Sequence, residues 1–113
     1  MSPGEIYLAN FPFGGSAGMK LRPVLVLTNP VGPVPELVTA YISSVIPSNP
    51  LPSDLVMDPT RAEHASSGLK AISVVRLHKL ASLHSRTFAR SLGKISPATA
   101  IEIAQRLRTL LNL

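Results

Sequence analysis

Two arginines, one histidine and a pair of serines are the residues of this 113-residue chain best placed to do chemistry. Arg22 stands before Pro23 and the apolar run Val24-Leu25-Val26-Leu27, just after a glycine-rich stretch. Arg76 and His78 lie two apart in Val74-Val75-Arg76-Leu77-His78-Lys79, and Ser43-Ser44 follows Ala40-Tyr41-Ile42. A guanidinium carries fixed charge and a forked set of donors that fits phosphate. An imidazole exchanges protons near neutral pH, and a serine hydroxyl can orient a substrate group. On a regular strand, residues two apart share a face with roughly 6.5–7 Å between them, so Arg76 and His78 would address one ligand together. By position alone each also has a plainer reading. Arg22 could be a surface arginine at a strand start and Arg76 a salt-bridged scaffold residue. His78 could be a structural histidine and Ser43 polar filler.

The composition removes several other chemistries. Without cysteine there is no thiol nucleophile, no Cys-based zinc site and no disulfide. The histidines His64, His78 and His84 lack partners at metal-ligand spacing, so no metal and no cofactor is expected. Residues 68–113 carry eight Lys or Arg against a single acid, Glu102, whereas residues 1–67 carry three against five. A polyanion or an acidic protein segment is the natural partner of the basic half, although a mild basic excess also serves solubility. With 45% hydrophobic and 15% charged residues the chain is not disordered as a whole. Its length suits a single domain over residues 1–113. No apolar run approaches the ~20 residues of a membrane span, and the first residues do not read as a signal peptide, so a cytoplasmic location is expected.

The elements that must position these side chains are short. Residues 5–11 mix β-branched, aromatic and aliphatic side chains and predict a strand. Gly14, Gly15 and Gly18 predict a mobile loop before residue 20. Residues 24–28 read as a strand buried on both faces, and residues 37–46 as a longer one with Tyr41 and Ser43 on one face and Ser44 on the other. Residues 54–57 read as a short strand and 58–68 as a loop. Residues 69–77 alternate strongly, with 80–83 continuing them past an irregularity. Residues 85–88 suit one helical turn and 90–95 a last strand. Ser96 is a good N-cap with Pro97 at the first helical position, and Ala100, Ile103, Leu107, Leu110 and Leu111 make an apolar stripe. The pattern predicts an α+β fold: an antiparallel barrel capped by a C-terminal helix.

The ordered set of segments resembles the MazF/PemK toxin family. The opening Gly4-Glu5-Ile6-Tyr7-Leu8-Ala9-Asn10-Phe11, the glycine-rich loop and Leu21-Arg22-Pro23-Val24-Leu25-Val26-Leu27 carry the first part of the likeness. Ala40-Tyr41-Ile42-Ser43-Ser44, the strand holding Arg76 and the helix after Gly93-Lys94-Ile95 carry the rest. The resemblance implies an SH3-like barrel, a homodimer and an acidic antitoxin partner. It also implies metal-independent cleavage of single-stranded RNA to 2′,3′-cyclic phosphate and 5′-hydroxyl ends.

It further implies catalytic roles for Arg22, Ser43 and Arg76; His78 can serve as a catalytic base by its own chemistry, and Lys20, Phe13, Ser44 and Lys79 are candidate RNA contacts. Arg22 matches the arginine of the family's Arg-Pro pair, Ser43 its catalytic hydroxyl, and Arg76 an arginine that acts as proton donor in one branch. His78 is a departure, standing where that branch has an aspartate as base. Ala17 is another, replacing a loop glutamate. One alternative is a toxin of the same fold that binds DNA gyrase without cutting RNA, which the Arg-Pro and Ile-Ser-Ser motifs speak against; the two departures keep open another, an inactive nucleic-acid-binding relative.

Overall fold

The computed structural model describes residues 1–12 and 20–113. Phe13 and Ala17, with the glycine-rich loop, lie outside the described residues. Six strands follow one another: β1 (Glu5–Phe11), β2 (Lys20–Val26), β3 (Glu36–Ser43), β4 (Asp54–Met57), β5 (Ser73–His84) and β6 (Phe88–Lys94). A helix, α1 (Pro97–Leu111), ends the chain, and single 3-10 turns occupy Ala62–Ser67 and Ser85–Thr87. The strands form one antiparallel sheet in the order β4-β5-β3-β2-β1-β6. The class is α+β, as expected, and the sheet is curled like a barrel.

That barrel is not closed by strand pairing, because the edge strands β4 and β6 do not bond to each other. The segment after β4 bridges the gap instead. Ser66 Oγ donates to the Lys94 carbonyl at 2.8 Å. Backbones meet so closely there that a Cβ on Gly68 would lie 1.9 Å from the Leu92 carbonyl oxygen, and one on Gly93 2.2 Å from that of Ser66. Gly68 also holds a left-handed φ of 73°, a conformation open to glycine and costly for other residues.

The two faces of the sheet bury different clusters. Ile6, Leu25, Ile42, Val75 and Leu77 pack beneath Ile103 of α1. Phe11, Val24 and Leu83 pack on the opposite face with Tyr7, Tyr41 and Phe88. Full burial of such side chains contributes about 1.5–3 kcal/mol each. The helix begins as expected: Ser96 Oγ accepts the Thr99 N–H at 3.2 Å, and Pro97 opens the first turn. Its apolar stripe is only half used. Ile103 is buried and Leu107 partly so, but Ala100, Leu110 and Leu111 are exposed. Leu110 instead looks over a cavity.

Several expected boundaries shift, each for a tertiary reason. The third strand ends at Ser43 rather than at residue 46, because Ser43 Oγ takes the Val45 N–H at 3.1 Å and turns the chain. The second strand starts at Lys20 and contains Pro23. Leu27 N–H donates to the Val38 carbonyl of β3 at 2.9 Å. Amides two and four residues back point the same way, so the missing N–H of Pro23 faces β3. The β2–β3 ladder accordingly stops at the Val24–Tyr41 pair. The fifth strand starts at Ser73, where β4 first pairs with it, and runs on to His84.

The irregularity expected after Leu77 is a large bulge. Tyr41 pairs with Arg76, but its neighbour Ala40 pairs with Leu80, leaving Leu77, His78 and Lys79 without partners on β3. Leu77 and Leu80 both face the α1 side, so the bulge reverses the alternation of β5. Bulges of this kind re-aim side chains beside functional sites.

Candidate active site at the bulge of the fifth strand

The register fixes a row of side chains across four strands. Val24, Tyr41, Arg76 and Asp54 stand opposite one another in turn, from β2 to β4. Asp54 opens β4 after three prolines' worth of loop. Its N–H donates to the Leu51 carbonyl at 2.9 Å, and its Oδ2 accepts the Leu51 N–H at 2.8 Å. This reciprocal turn places a carboxylate at the head of an apolar strand, where its side chain is 0% exposed.

A buried carboxylate needs a cation and donors. Arg76 supplies both, with Nε donating to Oδ1 at 3.1 Å and Nη2 to Oδ2 at 3.2 Å. Two parallel bonds fix the guanidinium plane as well as its charge. Such a pair adds little net stability, but removing one partner costs about 3–5 kcal/mol by stranding the other.

His78 joins this pair from the bulge. Its Nδ1 lies 4.0 Å from Asp54 Oδ1, inside ion-pair reach and beyond a hydrogen bond. The ring lines a cavity of about 580 Å³ between the Leu51–Ser53 turn and the helix residues Glu102, Gln105, Arg106 and Thr109. Arg106 closes the back of the site. Its Nη1 donates to the carbonyls of Pro52 at 2.7 Å and Asp54 at 2.9 Å, while Nη2 donates to Glu102 Oε1 at 2.8 Å. The helix thus holds the turn that presents the carboxylate.

Arg22 and Ser43 occupy the neighbouring row. Extending the β2–β3 register past Val24–Tyr41 sets Arg22 opposite Ser43, where Pro23 has released β2 from β3. Arg22 pairs on its other side with Ala9. Its Nε is buried and without a hydrogen-bond partner among the described residues. Buried polar atoms almost always have partners, so an orphan of this kind calls for an explanation. Ser43 faces Val74 on β5 and lies two residues along the same face from Tyr41.

The expected RNA contacts divide. Lys79 lies over the Tyr41 ring, 5.7 Å from its centroid, on the face of Arg76. Tyr41 in turn stacks on Phe11 at 5.3 Å. Lys20 is exposed at the start of β2. Ser44 is exposed past the end of β3 and lines a different cavity, about 280 Å³, with Leu8, Pro23, Gly68 and Arg90. Among the described residues no group of three or more His, Asp or Glu side chains is arranged to hold a metal ion. Sequence reasoning missed Asp54 and Arg106. The available signal was an acid heading the apolar run Leu55-Val56-Met57, and an arginine on the helix face that carries Ile103.

These features define a small curled-sheet protein with a basic, arginine-centred site. The chain belongs to the PemK-like, MazF-like toxin family of type II toxin–antitoxin systems, whose family model matches residues 2–111. It is similar in fold to a Mycobacterium tuberculosis toxin, MazF-mt6, with TM-score 0.74, 21% identity and coverage of 96% of this chain and 97% of that one. An endoribonuclease bound to its cognate antitoxin, from a mycobacterial species, gives TM-score 0.72, 20% identity and coverage of 100% and 96%. MazF of Deinococcus radiodurans gives TM-score 0.71, 20% identity and coverage of 100% and 97%. No curated protein sequence matches the chain. No helix among the described residues is long and apolar enough to cross a membrane.

Proposed function

We propose that this toxin is a metal-independent endoribonuclease that cuts single-stranded RNA and leaves 2′,3′-cyclic phosphate and 5′-hydroxyl ends. The observation that carries the reading is the Arg76–Asp54 clamp, which presents a fixed guanidinium beside the imidazole of His78. Cleavage by the neighbouring 2′-hydroxyl needs a base, a donor to the leaving oxygen and positive charge at phosphorus. His78 takes the 2′-hydroxyl proton as the 2′-oxygen closes on phosphorus. Arg76 serves as donor to the departing 5′-oxygen as its bond to phosphorus breaks. Arg22 stabilises the charge that builds on the phosphoryl oxygens, and its unpartnered Nε supports that role. Ser43 orients the ribose or the phosphate. Lys20, Phe13, Ser44 and Lys79 hold the flanking nucleotides.

In this reading the chain is one domain, acts in the cytoplasm as a homodimer and is silenced by an acidic antitoxin. Exposed Val45, Val56 and Ile72 supply apolar surface for a second copy. The eight basic residues after residue 67 suit both RNA and an acidic segment.

The test is incubation of purified protein with mixed-sequence RNA in EDTA. Fragments ending in cyclic phosphate support the proposal. Inhibition of gyrase supercoiling without RNA cleavage would replace it with the gyrase-binding reading, and RNA binding without either effect with the inactive one.

A further inference from the structure

The geometry points to Asp54 as a positioning residue: its buried carboxylate fixes Arg76 and faces His78 Nδ1, leaving His78 Nε2 as the atom offered to substrate. The inference rests on the nuclease reading and deepens it. It assigns work to a residue that neither sequence pattern nor resemblance singled out.

Three observations converge. The carboxylate is fully buried and held by Arg76, so salt screens it little while its direction is fixed. Both oxygens are committed, Oδ1 to Arg76 Nε and Oδ2 to Arg76 Nη2 and the Leu51 N–H. The oxygen that faces His78 is Oδ1, at 4.0 Å from Nδ1. A negative charge on that side favours the tautomer with its proton on Nδ1. The lone pair then sits on Nε2, on a ring that lines the cavity. The bulge makes this possible, because it lets His78 and Lys79 leave the β3 ladder while Arg76 stays in it.

The charged surroundings come from every element at the site. Arg76 lies on β5, and Glu102 and Arg106 lie on α1. Arg106 bonds the backbone carbonyl of Asp54 and not its carboxylate. The helix therefore fixes where Asp54 stands without neutralising it. Asp54 itself touches no substrate in this arrangement.

The test is Asp54→Asn in the full-length protein, read two ways. Long-range 1H–15N spectra of the His78 imidazole report which ring nitrogen carries the proton, whether or not the protein cuts RNA. The inference expects the Nδ1–H form in the wild type and a shift toward Nε2–H in the variant. Steady-state cleavage should show kcat lowered about tenfold or more with KM nearly unchanged, since orientation of the base is lost and substrate contacts are kept. An unchanged tautomer in the variant overturns the inference, as does a wild-type ring already in the Nε2–H form. If the wild type cuts no RNA, the nuclease reading fails while the spectra still decide the position of Asp54. If Asp54→Asn does not fold, the double variant Asp54→Asn with Arg76→Gln removes the carboxylate with the cation it balances. The tautomer of His78 is then read in that protein, with the same two outcomes.

Discussion

Arg106 of the terminal helix donates to the backbone carbonyl of Asp54 at 2.9 Å, although 52 residues separate the two in the chain. The same nitrogen reaches the Pro52 carbonyl, and the rest of the guanidinium is held by Glu102. One side chain thus joins the helix to the turn that presents the candidate site. We predict that Arg106→Ala lowers stability by about 2 kcal/mol, the scale of losing charge-assisted bonds to partly buried carbonyls. Arg106→Lys should rescue little, since a single ammonium cannot serve both carbonyls and Glu102 in that geometry. Urea unfolding of the three proteins measures this.

The closure between β4 and β6 is as sensitive as any packed core. Gly68→Ala would force a Cβ to 1.9 Å from the Leu92 carbonyl oxygen at a positive φ. The backbone itself must move to relieve that contact, so a loss of about 3 kcal/mol or more is expected. Gly32→Ala is the control: its φ is also positive, at 85°, but its nearest contact is 3.7 Å away. The difference between their thermal midpoints isolates the steric part.

Glu5 gives a prediction in pH. Desolvation pushes its carboxyl up, but hydrogen bonds from Ser2 and the nearby N-terminal ammonium outweigh that and hold it below its ordinary value. A folded-state value below the unfolded one means stability that is present above the unfolded value, ~4.3, and lost as pH falls through the folded one. Glu5→Gln should therefore cost about 0.5 kcal/mol at pH 7, a partly exposed interaction. The gap to wild type should narrow below about pH 4, as measured by unfolding at both pH values.

Local signals were legible in the sequence, and long-range ones were not. The helix start at Ser96-Pro97 and the bounds of β4 follow from capping and from flanking loops, which the chain encodes within a few residues. The second strand was expected from residue 24, after Pro23, yet Pro23 sits inside β2 because its absent N–H points to where β3 has already parted. Residues 69–72 alternate like a strand but find no partner, since β4 meets β5 only from Ser73 onward. Arg76 and His78 were legible as a pair of residues two apart, although the bulge, not a regular strand, sets their directions. Asp54, which holds one and faces the other, was not, because the contact spans 22 residues and exists only once β4 docks on β5. Arg22 and Ser43 were visible as types, whereas their alignment just past the last β2–β3 pair follows from the register of β2 against β3.

His78 tests the departure from the family pattern. If it is the base, His78→Asn removes most of the cleavage rate. The fold should persist, since the side chain is about one-third exposed and its ion-pair neighbour among the described residues is a distant 4.0 Å contact. A near-wild-type rate returns His78 to a structural role.

The most direct test of the nuclease account is the rate at which wild type and Arg22→Ala cut single-stranded RNA in EDTA, with end groups identified and stability measured alongside. The account predicts cyclic-phosphate products from the wild type and a rate lower by roughly 10²–10³ in the variant, the cost of losing a preorganised charge donor. Ser43→Ala should lose less. The unfolding midpoint of Arg22→Ala should stay level or rise, because its buried Nε has no partner to lose among the described residues. A variant that cuts at the wild-type rate, or a wild type that yields no cyclic-phosphate ends, would contradict the account.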